Sequence, residues 1–450
     1  MIGIAEVLVN LGFQVSGSDL VVSPVTERLA TLGARVECGH RPGHVHGADT
    51  VVVSSAVGPD NPEVLEARRL KIPVIPRAEM LAELMRLKYG VAVAGAHGKT
   101  TTTAMIAEVL TRGGLDPTVI IGGRVGKLPS GAKLGQGEIM VAEADESDGS
   151  FLKMKPTLAV VTNIDREHLD YYSGLDQIRD AFRRFLSRVP FYGAAIVCRD
   201  EPDVRAILPG VDRKLISYGL SGDADVRATD VTVSGFNSSF VVHHRDTRLG
   251  QVRLNVPGKH MVCNSLAAVA VGLELDVPFR EIANALAEFR GVDRRMQWRG
   301  EACGGSIIDD YGHHPTEILA TLAAIREGFG APTLVVFQPH RYSRTEALLE
   351  EFGRAFFAAD RVIVTDVFAA GEEPIDGIDG ATVADALVRH GHRSVVYEPR
   401  LTAIPDLLRQ TIRPGDIVLT LGAGDVWKVG QELIRSDAGS GTRAMPRRSA

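Results

Sequence analysis

One stretch constrains this chain more than any other: Val91 to Thr103, VAVAGAHGKTTTT. Val91 to Ala94 read as a buried strand, Gly95 and Gly98 open a tight turn, and Lys99 with the threonines that follow leads into MIAEVL, which has helical spacing. A strand, a glycine turn and a helix start make a phosphate cradle. The unpaired N–H groups and the dipole of a helix N-terminus both favour an anion there. Lys99 is placed to reach the outer phosphates and the Thr100 hydroxyl to hold Mg²⁺. The full Walker pattern wants a glycine five residues before Gly98, where this chain has Val93, so what stands here is the shorter GxxGKT form. A glycine turn can serve positive φ alone. Lys-Thr at that turn has no such structural necessity.

Composition narrows the classes. At 450 residues the chain has room for roughly three domains. A net charge of −6 offers no broad basic field, which excludes nucleic acid and a membrane surface as partners. No apolar run approaches the ~20 residues that cross a bilayer. The opening MIGIAEVLVNLGF lacks the basic flank and cleavage site of a signal peptide, so the expected location is cytoplasmic. Cys38, Cys198, Cys263 and Cys303 lie far apart with no CxxC spacing and are expected as free thiols. Nothing in the composition speaks to oligomeric state.

The fold class is α/β in three domains. Residues 1–88 alternate helix and strand, which implies a Rossmann-like parallel sheet whose ligand lies beyond the strand ends; Asp19, Ser54, Ser55 and Arg77 fall at such ends. Residues 89–291 form the central P-loop ATPase domain, with a mixed sheet and a small antiparallel portion over residues 212 to 257. There IMVAEA is a strand with Glu143, Asp145, Glu146 and Asp148 at its end. A carboxylate near a phosphate cradle is a candidate Mg²⁺ ligand. Asp145 and Glu146 read equally well as a solvated acidic loop. His168, beside Asp165 and Asp170, is either a metal ligand or a satisfied polar residue at a helix start. Asn264, near the start of the helix in PGKHMVCNSLAAVAVGLEL, either caps it or reads a base edge. Residues 292–435 form a third, Rossmann-like α/β domain, and 436–450 read as a disordered tail. In the third domain Arg294 and Arg295 lie in a loop, GVDRRMQW, while Asp309, Asp310, His313, His314, His340, Arg341 and Arg344 gather at strand ends. Arginine there suits phosphate or carboxylate clamping. The residues taken together point to an ATP-consuming enzyme that activates a carboxylate as an acyl phosphate and traps it with an amine.

The stretches GAHGKTTTT, EADESDGSF, TNIDREHLD, GVDRRMQ, DDYGHHPTE and FQPHRYSRT resemble the Mur ligases of bacterial peptidoglycan synthesis. The resemblance implies ATP and Mg²⁺ as cofactors, and DDYGHHPTE and FQPHRYSRT lean toward UDP-N-acetylmuramate and L-alanine as the small-molecule substrates. It implies that Gly95, His97, Gly98, Lys99, Thr100 and Thr101 form the nucleotide turn. Thr100, Glu143 and His168 would hold metal, and Asn264, Arg295 and Asp310 would meet adenine, phosphates or ribose. Asp19, Ser54, Ser55 and Arg77 would face the UDP-sugar. His313, His340, Arg341 and Arg344 would face the muramyl group and the alanine. Two other readings stay open: a sister ligase adding another amino acid or a peptide, and an ATP-binding protein without ligase activity.

The departures carry expectations too. The family opens with a strand and a G-x-G-G-x-G-M turn for the UDP diphosphate, and Met1 aligns with the methionine ending it. The first sheet is therefore expected to lack a central strand, and UDP-N-acetylmuramate to bind less well than ATP. Ala96, Met261 and Met296-Gln297 replace residues more usual in the family. Met261 falls in the expected adenine contact.

Overall fold

The computed structural model describes residues 1–54, 56–122, 131–169 and 171–438. Ser55, Asp170 and the tail from 439 on lie outside the described residues. The chain forms two compact units. The first holds Met1–Asp230, Phe240–Arg253 and Val262–Val292; the second holds Val231–Ser239, Leu254–Met261 and the chain from Asp293 on.

The first unit opens on a helix, Ile2–Asn10, as its apolar spacing predicts. Strands β1 (Ser16–Asp19), β2 (Arg35–Cys38), β3 (Val51–Val53) and β4 (Val74–Pro76) follow, with helices between them. Local chemistry starts those helices. Ser23 and Thr26 form a reciprocal capping box ahead of Pro24–Thr31, and the Asn61 side chain accepts from Glu63 N ahead of Pro62–Arg69. Among the described residues β1 pairs only with β2 and β3 only with β4, both parallel. The expected first sheet is thus present as two ribbons with no strand joining them.

A ten-stranded sheet follows. Its strands are β5 (Tyr89–Ala94), β6 (Thr118–Ile120), β7 (Ala132–Lys133), β8 (Ile139–Glu143), β9 (Leu158–Val161), β10 (Ala194–Cys198), β11 (Leu215–Gly219), β12 (Val226–Ser234), β13 (Asn237–His244) and β14 (Thr247–Leu254), in the order 14-13-12-11-10-9-5-8-6-7. From β10 to β6 the pairings are parallel, with β5 between β9 and β8, while β7 runs antiparallel to β6. Two-residue turns join β12 to β13 and β13 to β14, the hairpin geometry expected for residues 212 to 257. Because β5 has a neighbour on each side, all its residues after Tyr89 are buried. The core includes Ala92, Ala94, Met140, Val161, Phe151, Phe182 and Phe185. Burying a larger side chain among them, such as Phe151 or Met140, contributes about 1.5–3 kcal/mol by removing it from water.

The second unit is built on β15 (Gln297–Ala302), β16 (Gly305–Asp310), β17 (Thr333–Phe337), β18 (Arg361–Val364), β19 (Val395–Tyr397) and β20 (Ile417–Leu421), in the order 15-16-20-17-18-19. Only β15 is antiparallel. Successive strand residues point to opposite faces. Ile308 therefore enters a core with Ile318, Phe337 and Phe352, while Ile307 enters another with Leu334, Ile404 and Leu433. Two details differ from the sequence reading. GVDRRMQW is not wholly loop, since Gln297 and Trp298 already pair with Asp309 and Ile308. The last helix, Trp427–Ala438, runs past Ser436, whose hydroxyl donates to Glu432 O and Leu433 O.

Candidate active site

The cradle turn is fixed by close approach as much as by φ. Gly95 has φ +143°, and a Cβ there would lie 2.0 Å from Thr162 Oγ1. Gly98 has φ +79°, starts the helix Lys99–Arg112, and would push a Cβ to 2.7 Å from Asn264 Oδ1. Between them, His97 N donates to Asn163 Oδ1 (2.8 Å), and His97 O accepts from Thr162 Oγ1 (2.6 Å) and Asn163 Nδ2 (2.9 Å). The His97 ring meets Asp165 Oδ2 at 2.9 Å. The turn is stitched to the end of β9 and held against Asn264, which is 9% exposed. Thr101 is buried beneath it.

Two groups of ligating side chains stand near Lys99. In one the Thr100 hydroxyl donates to Glu143 (3.1 and 3.2 Å), whose Oε2 also accepts from Gly122 N at 2.8 Å. In the other, Glu146, Glu167 and His168 have ligating atoms within 4.8 Å of one another. Of the set expected from the resemblance, Thr100 and Glu143 are hydrogen-bonded to each other, and His168 Nε2 stands 3.4 Å from Glu146 Oε1. His168 is not at a helix start. It sits in a turn with φ +56°, a left-handed conformation uncommon for a non-glycine residue. Lys99 Nζ donates to Gly95 O (2.6 Å), Ala96 O (3.2 Å) and Glu146 Oε1 (2.8 Å). Burial favours its neutral form, but the Glu146 and Glu143 carboxylates outweigh that and raise its pKa. His168 is likewise raised: burial opposes, while Glu146 and Glu167 prevail.

The solvated-loop alternative fails for Glu146, which is 2% exposed, and holds better for Asp145, which is only half-buried. No sequence signal separates the two. Glu146 Oε2 is buried with no hydrogen-bond partner. Carboxylate and hydroxyl oxygens of this kind fit a hard divalent cation.

At the ribbon ends Asp19 is exposed and accepts from Val21 N (3.4 Å), Ser54 directly follows β3, and Arg77 Nη2 lies 3.6 Å from Asp145 Oδ2. Ser18, at the end of β1, donates to Glu63 Oε2 (2.8 Å), contacts His40 Nδ1 (2.9 Å) and so joins a polar cluster with His44, 2.8 Å from Glu63. This cluster was not legible, because its members are far apart in sequence.

In the second unit Arg294 and Arg295 each stand 5.1 Å from the centre of the Tyr311 ring. Arg294 is tied to Asp309 (3.1 Å) and Gly422 O (2.6 Å), and Arg295 donates to Glu317 Oε1 (3.0 Å). Asp310 is buried and accepts from Met296 N (2.7 Å) and Gly312 N (2.8 Å). Burial pushes its carboxyl up to about 6 despite Arg295. These bonds make Asp310 an organiser of the loop that carries Arg295. His260 is half-buried, and loss of water around its ring together with Arg295 takes it down to about 4.

His313, His340 and Arg344 come together. The His313 and His340 rings lie 5.5 Å apart, His340 stacks on Phe368, and Arg344 Nη1 donates to His340 O at 3.2 Å. Arg341 has φ +69° and stands 3.7 Å from Glu372. The residue missed here is Glu317, which accepts from His313 N (3.0 Å) and from Arg295. Its signal was present: His314-Pro-Thr-Glu317 is a capping box with histidine in the N-cap position.

Comparison with known proteins settles the family. The profile described as "Mur ligase family, catalytic domain" matches residues 1–89, "Mur ligase middle domain" residues 93–272, and "Mur ligase, glutamate ligase domain" residues 294–424. The UDP-N-acetylmuramate–L-alanine ligase of Geobacter sp. (strain M21) is 56% identical over 435 residues, 96% of this chain and 94% of that one. The chain belongs to the Mur ligase family. A second relative of this Mur ligase, the protein of the same name from Geobacter sulfurreducens, is 54% identical over 96% of the chain and 94% of its own length. The crystal structure of UDP-N-acetylmuramate–alanine ligase from Thermotoga maritima has a TM-score of 0.80 at 27% identity, covering 98% of this chain and 96% of that one. The three-domain α/β class read from the sequence is therefore the fold of this Mur ligase. A murein peptide ligase from Psychrobacter arcticus shares the fold alone, at 23% identity and a TM-score of 0.69. No helix among the described residues is long and apolar enough to cross a membrane.

Proposed function

We propose that this Mur ligase joins L-alanine to the muramyl carboxylate of UDP-N-acetylmuramate with ATP, in peptidoglycan precursor synthesis in the cytoplasm. The observation that carries this reading is 56% identity over 96% of the chain to a protein of that name. The carboxylate oxygen attacks the γ-phosphorus of ATP, releasing ADP and forming an acyl phosphate. The alanine amine then attacks the acyl carbon, phosphate leaves, and the amine proton goes to solvent or a nearby base.

Each residue role follows from its chemistry. The N–H groups after Gly98 receive the phosphates, and the Lys99 ammonium offsets charge on the transferring phosphoryl group. Thr100, Glu143 and His168 would hold Mg²⁺, whose chemistry when bound is to reduce the repulsion between γ-phosphate and carboxylate. Asn264, whose side chain stands against Gly98, would meet the nucleotide. Arg295, on a loop organised by Asp310, and His313, His340, Arg341 and Arg344 supply the donors and cationic charge that an anionic muramyl substrate and an amino-acid carboxylate require.

Mass spectrometry of the product is the direct test: the expected species is UDP-N-acetylmuramate plus one alanyl residue, formed with one phosphate per alanine. Lys99→Ala should lower alanine-dependent phosphate release by about 10²–10³-fold, the scale of losing one transition-state donor. Release that survives Lys99→Ala would show that the cradle is not the catalytic nucleotide site.

A further inference from the structure

Lys99 has three N–H donors, and all three are engaged: with Gly95 O, Ala96 O and Glu146 Oε1. Any bond from Lys99 to a phosphate must replace one of them. The two carbonyls belong to a turn fixed by the Thr162 contact at Gly95 and by the hydrogen bonds around His97. The Glu146 bond is between side chains, and it is the one that can be exchanged. Glu146 cannot follow the lysine outward, because it is 2% exposed and its backbone carbonyl accepts from Tyr172 OH at 2.6 Å. If Lys99 left alone, the buried carboxylate would lose its ammonium partner and keep only the His168 ring, 3.4 Å away, which is costly. A divalent cation can take the lysine's place.

The structure shows where that cation would land. Glu146 Oε2 is buried and without a hydrogen-bond partner. His168 Nε2 is 3.4 Å from Glu146 Oε1 and 3.9 Å from Glu167 Oε2. The donors are two carboxylates and an imidazole. We propose that Glu146 is a positioning residue for Lys99 and the landing carboxylate of a divalent cation: the cation displaces the ammonium from Glu146, and Lys99 turns to the nucleotide phosphates. Glu146 lies outside the Thr100, Glu143 and His168 set, and the exchange makes cation binding and phosphate binding mutually reinforcing. The inference rests on the reading of Lys99 as a phosphate ligand.

Calorimetry of ADP binding with and without Mn²⁺ tests it on the full chain, with no turnover. The native protein should bind ADP more tightly with Mn²⁺ by roughly 5–150-fold, the range of coupled sites. In Glu146→Gln the carboxylate no longer retains Lys99 or attracts the cation. Metal-free ADP binding should then tighten and the Mn²⁺ effect shrink toward none. Native coupling retained in Glu146→Gln, or ADP binding lost with and without Mn²⁺, would overturn the proposal; the second result would make Glu146 a structural brace. A measurement on the native protein needs no variant: acylation of Lys99 by an amine-reactive reagent, read by peptide mass spectrometry, should rise on adding Mn²⁺ alone, and an unchanged rate would also overturn it. If Lys99→Ala leaves ADP affinity untouched, the cradle reading itself fails, a result distinct from failure of the exchange.

Discussion

The cradle sheet and the N-terminal ribbons are both parallel strands alternating with helices, yet they are buried very differently. In β5 every residue after Tyr89 is buried, and β9 is buried throughout. In β1 every residue but Ser18 is exposed, and β3, three consecutive valines, is half-buried along its length. Leu20, Val21 and Val22, just beyond β1, are 71%, 66% and 60% exposed. The valines of β3 are as apolar as those of β5. The difference lies in neighbours: β5 is flanked by β9 and β8, whereas among the described residues β1 and β3 each have one partner. Strand composition sets the tendency to be buried, and sheet position decides whether it is met.

The comparison can be broken most severely at the level of ligands. ADP should bind at far lower concentration than UDP-N-acetylmuramate, because the residues proposed for the UDP-sugar stand at the ends of half-exposed ribbons. Calorimetric titration of each ligand checks this, and UDP-N-acetylmuramate binding as tightly as ADP would show that two separate ribbons suffice. The next effect is on stability. Val93→Ala, in a fully buried strand, should cost roughly 2 kcal/mol from lost methyl burial and the space left behind. Val52→Ala, at the matching place in β3, should cost under about 1 kcal/mol. Shifts in urea midpoint measure both, and equal costs would contradict the account of burial given above. The smallest effect concerns pH. Asp310 keeps its proton up to about pH 6 in the folded chain, against an ordinary aspartate pKa of about 3.9. The folded state binds the extra proton in that window. The stabilisation is therefore complete below about pH 4 and lost as pH rises through about 6. Asp310→Asn should remove a slope of at most about 1.4 kcal/mol per pH unit there.

The legible parts were those with local chemistry. Gly95, Gly98 and Lys99 stand within five residues, so a strand, turn and helix start were readable, as was the alternation of helix and strand over residues 1–88. The hairpins from β12 to β14 were readable from alternation. What escaped depends on distance. Glu146 and Asp145 are adjacent and chemically alike, and only the meeting with Lys99, 47 residues away, makes one a buried partner and the other a half-exposed side chain. The cluster of Ser18, His40, His44 and Glu63 escaped for the same reason. The approach of two guanidiniums to the Tyr311 ring escaped because β15 and β16 had first to be paired. Glu317 was legible in principle, had histidine been considered as a helix cap.

The central claim concerns which amine the cradle's phosphoryl chemistry serves. Phosphate release measured with UDP-N-acetylmuramate, ATP and Mg²⁺, and with L-alanine, L-glutamate, D-glutamate or a tripeptide as acceptor, tests it directly. The account predicts release with L-alanine well above that with each of the others. Release driven by D-glutamate or the tripeptide in preference to L-alanine, or equal release with no amine present, would contradict it.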